Sequence, residues 1–243
     1  TGVQTCALPI LRRWGVVRNS GEKDAKSVPE MIRTFIAQQT GAVRTIGILE
    51  QSARGNGYVT TDIDDAIVRR VPMFFRLKGQ PDEDLFPSLA LEALRVAQGA
   101  STYIIKWSGA QGFESFGKRT GVGSIRVGQA TVDTDAYGRM TLYDTGHLPA
   151  RFVSARDVLN GTVPKEKIEG NVVFVGTSAI GLKDLRHTPL ESAAPGVEVH
   201  AQLVEQIATK TFLERPDYAD GADRKSTRLN SSHVSESRMP SSA

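Results

Sequence analysis

From Asn171 to His200 the chain reads NVVFVGTSAIGLKDLRHTPLESAAPGVEVH. Val172, Val173, Phe174 and Val175 form a short, mostly β-branched run of the kind that fills a strand buried on both faces, and Gly176 closes it. A loop of small and hydroxyl residues follows. Lys183, Asp184, Arg186 and His187 then gather ahead of Thr188-Pro189, where proline fixes the backbone and keeps the preceding residue extended. Pro195-Gly196 opens a helix in which Val197, Ala201, Val204 and Ala208 recur at helical spacing, widened by Leu203 and Ile207. A buried strand, a charged loop at its carboxyl end and a helix returning onto the sheet predict an α/β fold. In such folds ligands are expected in the crevice outside the strand ends.

Two motifs come within one residue of this loop. Gly176 and Gly181 have the separation of a phosphate-binding loop, but Leu182 stands where the lysine must be, and Asp184 follows Lys183. A nucleophile elbow needs small residues on both sides of its serine, and Ser178 lies between Gly176 and Ile180. Ser178, Asp184, His187, Glu198 and His200 still supply nucleophile, base and orienter types. They define an alternative reading, a secreted or periplasmic hydrolase-like α/β enzyme using the loop from Gly176 to Pro189. Structural roles are preferred for them: Asp184 and Arg186 paired with each other or holding loop N–H groups, and His200 packed at helical spacing from Val197 and Val204. No cofactor and no metal site is assigned: His187 and His200 are separated by a proline turn, and the sequence neither supports nor forbids a metal there. The single cysteine, Cys6, excludes an internal disulfide and a thiolate cluster.

With 243 residues, 40% of them hydrophobic, the chain is long enough for a substantial core. Its formal net charge of +3 raises the question of a nucleic-acid partner. The charge is local: from Arg224 to Ala243 there are four bases (Arg224, Lys225, Arg228, Arg238) and one acid (Glu236), which leaves the remainder formally neutral. Without a basic stripe interleaved with aromatics, no nucleic-acid partner is expected. No apolar run reaches the roughly 18 to 20 residues that cross a bilayer.

Residues 1–10 and 225–243 match no periodic template, resemble translated adapter read-through, and are left out of fold reasoning. Helices are expected over Val28–Gln39 and from Phe86-Pro87-Ser88 to Gly99, and a short one after Ser154. Strands are expected over Val43–Leu49, Ile67–Leu77 (with Pro72 at an edge or bulge) and Thr102–Trp107. A hairpin joining Ser124–Val132 to Arg139–Tyr143 is expected across Asp135-Gly138. Asp62, Asp64 and Asp65 read as turn carboxylates, since they lack the order of a calcium loop.

The pattern V-G-x-S-A-x-G-L-x-D-L-x-x-T-P-L with P-G-V-E-V-H-A resembles the carboxyl-terminal signature of the type 2 CHASE domain. The likeness continues through DIDDAIVRRVP (Asp62–Pro72), FPSLALEAL (Phe86–Leu94) and SARDVLNG (Ser154–Gly161). These sensor modules sit outside the membrane in receptors whose cytoplasmic parts are adenylate or guanylate cyclases, histidine kinases or serine/threonine kinases. The resemblance implies one sensory domain over residues 11–216, with a mixed, largely central sheet flanked by helices, incomplete on its amino-terminal side, and a juxtamembrane remnant at 217–224. It implies an extracytoplasmic location, no catalytic residue, an unidentified small-molecule or environmental stimulus, membrane attachment through flanking helices, and a homodimer. Thr177, Ser178, Lys183, Asp184, Thr188, Glu198 and His200 are the ligand-binding candidates. Asp62, Asp64, Arg69, Pro72, Gly176, Gly181, Pro189, Pro195 and Gly196 are the structural motif residues.

Overall fold

Tyr103, Ile105 and Trp107 are buried and alternate with the more accessible Ile104 and Lys106, the period of two that turns one face of a strand inward. Around this strand a computed structural model describes residues 3–4, 14–17, 28–43, 45–61, 66–82, 84–108, 121–177 and 184–213. The strands are β1 (Val3–Gln4), β2 (Trp14–Val17), β3 (Gln38–Gln39), β4 (Ala42–Val43), β5 (Arg70–Pro72), β6 (Phe74–Leu77) and β7 (Phe86–Pro87). They continue with β8 (Tyr103–Ser108), β9 (Gly121–Val127), β10 (Ala130–Asp133), β11 (Arg139–Thr141), β12 (Leu185–Arg186) and β13 (Ala194–Pro195). The helices are α1 (Val28–Phe35), α2 (Gly47–Ser52), α3 (Leu89–Ala97), α4 (Ala155–Leu159) and α5 (Gly196–Thr209).

The fold is α/β. Its main sheet has the order β10-β9-β8-β2, antiparallel except for β2, which runs parallel to β8 with Trp14 opposite Tyr103. Helices α3 and α5 pack on each other, and with α1 they lie against β9 and β10. Ile32, Leu91, Tyr103, Ile105, Ile125 and Leu203 meet in one core. Small paired strands surround it: β11 with β5, β3-β6-β7, β12 with β13, and β1 with β4. Among the described residues no helix is long and apolar enough to cross a membrane.

Several expectations change. The run Val172–Val175 is not a buried strand: it pairs with nothing among the described residues, Val175 is 88% exposed, and Phe174 alone of the four packs on the core. Apolar content made the run look like a strand, but without a neighbour to take its N–H and C=O groups it is an irregular strap. Gly176 anchors it, because a Cβ there would come within 2.4 Å of Val197. The expected strand over Val43–Leu49 reduces to β4 followed by α2, with Ile46, Ile48 and Leu49 exposed.

The expected hairpin is displaced. Its turn is Gly128-Gln129 between β9 and β10, and β11 pairs with β5. Asp135 organises the next corner, accepting from the N–H groups of Tyr137 and Arg139 and from Arg139 Nε at 2.8 Å. Strand β2 lies in a stretch that sequence periodicity leaves unassigned. Ser154 holds the N-cap position of α4 without a side-chain cap bond.

Helix α5 buries Val199, Leu203, Val204 and Ile207, so its inner stripe is turned from the one expected, and Ala208 is exposed. It ends where Lys210 adopts φ +57° and Thr211 donates back to the Gln206 carbonyl, a left-handed stop that normally favours glycine. Lys210→Gly is therefore expected to stabilise the chain by about 1 kcal/mol, read as a higher urea midpoint at unchanged m value. An unchanged or lower midpoint would show that the lysine is not strained there.

Candidate functional site

Asp144, Thr145 and Gly146 follow β11 in a turn in which the Asp144 carboxylate accepts the Gly146 N–H at 2.9 Å. The other carboxylate oxygen accepts the N–H of Leu190 at 2.9 Å, bringing in a turn 46 residues away. That turn is closed by Thr188 and Glu191, whose backbones and the Thr188 hydroxyl bond one another. Burial pushes the Asp144 carboxyl up, but bonds from the Thr188 hydroxyl, the Gly146 and Leu190 N–H groups and the Gln202 side chain outweigh it, holding the group below the usual carboxylate range.

The first two turns of α5 form the third side. Glu198 lies in the first turn and is 6% exposed, and Gln202 follows one turn later. His147 places Nδ1 at 3.2 Å from Glu198 Oε2, its backbone N–H donates to Glu191 Oε1 at 2.5 Å, and its ring packs against Phe152 at 4.4 Å. The Gln202 amide faces the Gly146 carbonyl at 3.5 Å. Three segments distant in sequence thus turn one histidine, three carboxylates, a hydroxyl and an amide towards one place.

On another side of the same helix, Asp184 and Arg186 pair at 3.7 Å, as expected. The Asp184 carbonyl accepts the N–H of Gly196 at 2.7 Å, and a Cβ on Gly196 would meet Asp184 Oδ1 at 2.6 Å. Glycine at the start of α5 is what lets this strand end come so close. Pro195, opposite Leu185 in β13, supplies the fixed φ that leads into the helix.

His200 is a packed histidine, 2% exposed, with Nε2 donating to the Val59 carbonyl at 3.2 Å. Its Nε2 is thereby committed to a backbone carbonyl. Burial lowers its pKa, and the Val59 bond and the Asp184 charge only partly restore it, while Arg186 adds to the lowering. The unfolded chain binds this proton near pH 6.5 and the folded one only at lower pH. Stability from this group is therefore complete above pH 6.5 and lost as pH falls below it, by at most about 1.4 kcal/mol per pH unit. His200→Asn is expected to flatten the fall in urea midpoint between pH 7.5 and 5.5. A fall as steep as in the parent chain would assign the dependence to other groups.

Of the ligand-binding candidates, Thr188 and Glu198 lie in the polar cluster. Asp184 and His200 lie beside the helix start, and Thr177 is exposed on the strap. Ser178 and Lys183 lie outside the described residues, as do Asp62, Asp64 and Gly181 of the motif set. Arg69 is exposed and gives its carbonyl to the Leu142 N–H, while Pro72 is buried and its carbonyl accepts from the Tyr58 hydroxyl. Pro189 shapes the Thr188–Glu191 turn. Asp144, His147, Glu191 and Gln202 escaped sequence reasoning. The Asp144-Thr145-Gly146 turn was the available signal, because aspartate two residues before glycine marks a loop that folds back on itself.

A family model described as the CHASE2 domain matches residues 13–222, most of the chain. No curated protein and no solved structure matches it.

Proposed function

Because the chain belongs to the CHASE2 domain family, whose members are extracytoplasmic sensory domains of membrane receptors, we propose that it is the stimulus-binding part of a transmembrane receptor with a cyclase or kinase output. The family is sensory and non-catalytic, which agrees with a buried His200 and disfavours the hydrolase reading. The observation that carries the proposal is the convergence of the Asp144–His147 turn, the Thr188–Glu191 turn and the start of α5 on one polar cluster. A small polar ligand bound there contacts three segments at once and biases their relative positions. Helix α5 spans 14 residues, or about 20 Å, and carries that bias from the cluster to Lys210. The bias cannot exceed the ligand's difference in affinity between two states, so about 1 to 3 kcal/mol of coupling is expected.

Homodimers and flanking membrane helices belong to the same proposal. The test is a thermal-shift screen of amino acids, organic acids and nucleosides against the chain and its Thr188→Val and Gln202→Met variants. A compound that raises the parent midpoint and neither variant's supports the site. A screen in which no compound discriminates between parent and variants overturns the small-ligand reading, and turnover by the isolated chain would favour an enzyme.

A further inference from the structure

Glu198 occupies the third position of α5, where a glutamate commonly reaches back to the N–H of the capping residue. Here the capping residue is Pro195, which has no N–H to offer. The Glu198 carboxylate, 6% exposed, has His147 as its hydrogen-bond partner among the described residues, at 3.2 Å. A buried carboxylate with so little compensation calls for a cation. Glu191 stands on the other side of His147, and one ligand atom from each of the three residues lies within 4.8 Å of the others.

Four ligands placed tetrahedrally about 2.0–2.1 Å from an ion are about 3.3 Å apart. The His147–Glu198 pair already has that separation. With every separation within 4.8 Å, bringing Glu191 to it takes at most about 1.5 Å of movement by a flexible side chain. A polar side chain beside the cluster is also incompletely satisfied. Gln202, one turn along α5 from Glu198, is 6% exposed, and its Oε1 is buried without a hydrogen-bond partner while its amide faces Gly146, next to His147. Buried amide oxygens are rarely left in that state.

We propose that His147, Glu191 and Glu198 bind one divalent transition-metal ion of the zinc class. One imidazole and two carboxylates suit zinc better than calcium or magnesium, which prefer all-oxygen sets. Three protein ligands leave a fourth position open to water or a small ligand. Phe152 fixes the imidazole plane by packing against it. The ion ties the Asp144–His147 turn, the Thr188–Glu191 turn and α5 together, so a ligand entering the open position meets all three. The metal site stands whether or not the domain signals, since it rests on these side chains alone.

The full chain, stripped with chelator, is titrated with Zn²⁺, and in parallel with Co²⁺ to read the visible absorption of a low-coordinate N/O site. The expected result is one ion per chain and a raised thermal midpoint. His147→Ala and Glu191→Gln, both at accessible positions that leave the core intact, are each expected to weaken binding more than tenfold. Cys6→Ser, His187→Ala and His233→Ala are expected to retain it. Absence of saturable one-to-one binding overturns the proposal, as does binding that survives in either His147→Ala or Glu191→Gln or that is lost with Cys6, His187 or His233.

Discussion

Replacing Glu92 by alanine is expected to remove about 3–5 kcal/mol, a large share of the roughly 5–15 kcal/mol that holds a domain of this kind folded. Glu92 is 3% exposed and Arg95 6%. The guanidinium grips the carboxylate with Nη2 at 2.7 Å from Oε1 and Nε at 2.9 Å from Oε2, and the buried Tyr103 hydroxyl donates to Oε2. Arg95 also donates to the carbonyls of Ala100 at 2.8 Å and Arg54 at 3.2 Å. Removing one partner leaves the other charge buried with no means of reaching water. The cost is that of an orphaned charge, well above that of an ordinary helix pair three residues apart.

The neighbours of the pair show the same tightness. A Cβ on Gly55 would come within 1.9 Å of Glu92 Oε1, and one on Gly57 within 2.6 Å of the Leu89 Cα. The two glycines form a strap pressed onto α3, and Gly55→Ala is expected to destabilise by forcing the same pair apart. Urea denaturation of Glu92→Ala, Arg95→Ala and the double replacement Glu92→Leu with Arg95→Met separates the causes. The double variant is expected to lose less than either single one, with a residue of cost from the Ala100 and Arg54 carbonyls left without donors. Single variants costing under 1 kcal/mol would mean that water reaches the pair.

This arrangement also shows how far sequence reasoning reaches. The helix expected from Phe86-Pro87-Ser88 and its stop at Gly99 (φ +61°) are legible, because chain reversal depends on neighbouring residues; its start shifts, since Phe86–Pro87 pairs as β7 and Ser88 becomes the cap, its hydroxyl accepting the Leu91 N–H at 3.2 Å. Burial of Glu92 and Arg95 is not legible, since a charged pair three residues apart normally marks a solvated face. It takes a glycine strap from elsewhere in the chain to cover them. The strap at Val172–Val175 errs in the opposite sense: apolar content says buried, and pairing, which is non-local, decides otherwise.

The cluster divides along the same line. Thr188 and Glu198 are recognisable within one continuous motif, whereas Asp144 and His147 join them through bonds spanning 46 and 51 residues that no local pattern encodes. The proposed signal route is likewise visible only in three dimensions. Helix α5 starts among these side chains, and its left-handed stop at Lys210 ends the rigid segment short of Phe212, which itself packs on the core.

Asp144→Ala should have the second largest effect, about 2–3 kcal/mol. Bonds to a charged acceptor contribute about 1.5–3 kcal/mol each, but the sum is discounted because the Leu190 N–H lies near the surface and regains water when released. The carboxylate touches both turns and α5 at once, through Gly146, Leu190, Thr188 and Gln202. Its loss frees the Thr188–Glu191 turn from the Asp144–His147 turn and withdraws Glu191 from His147. The sign of the pH dependence follows from its lowered pKa: its contribution is complete above the unfolded value of 3.8 and disappears as pH falls through the lower folded one. Asp144→Ala is expected to lack that acid-side loss. Amide hydrogen exchange distinguishes a local clamp from general weakening. The Gly146 and Leu190 amides should exchange much faster in the variant, while those of Leu203 and Val204 should change only by the global loss of stability. If Leu190 stays as protected as in the parent chain, Asp144 does not hold the two turns together, and the cluster must be assembled by the α5 side chains instead.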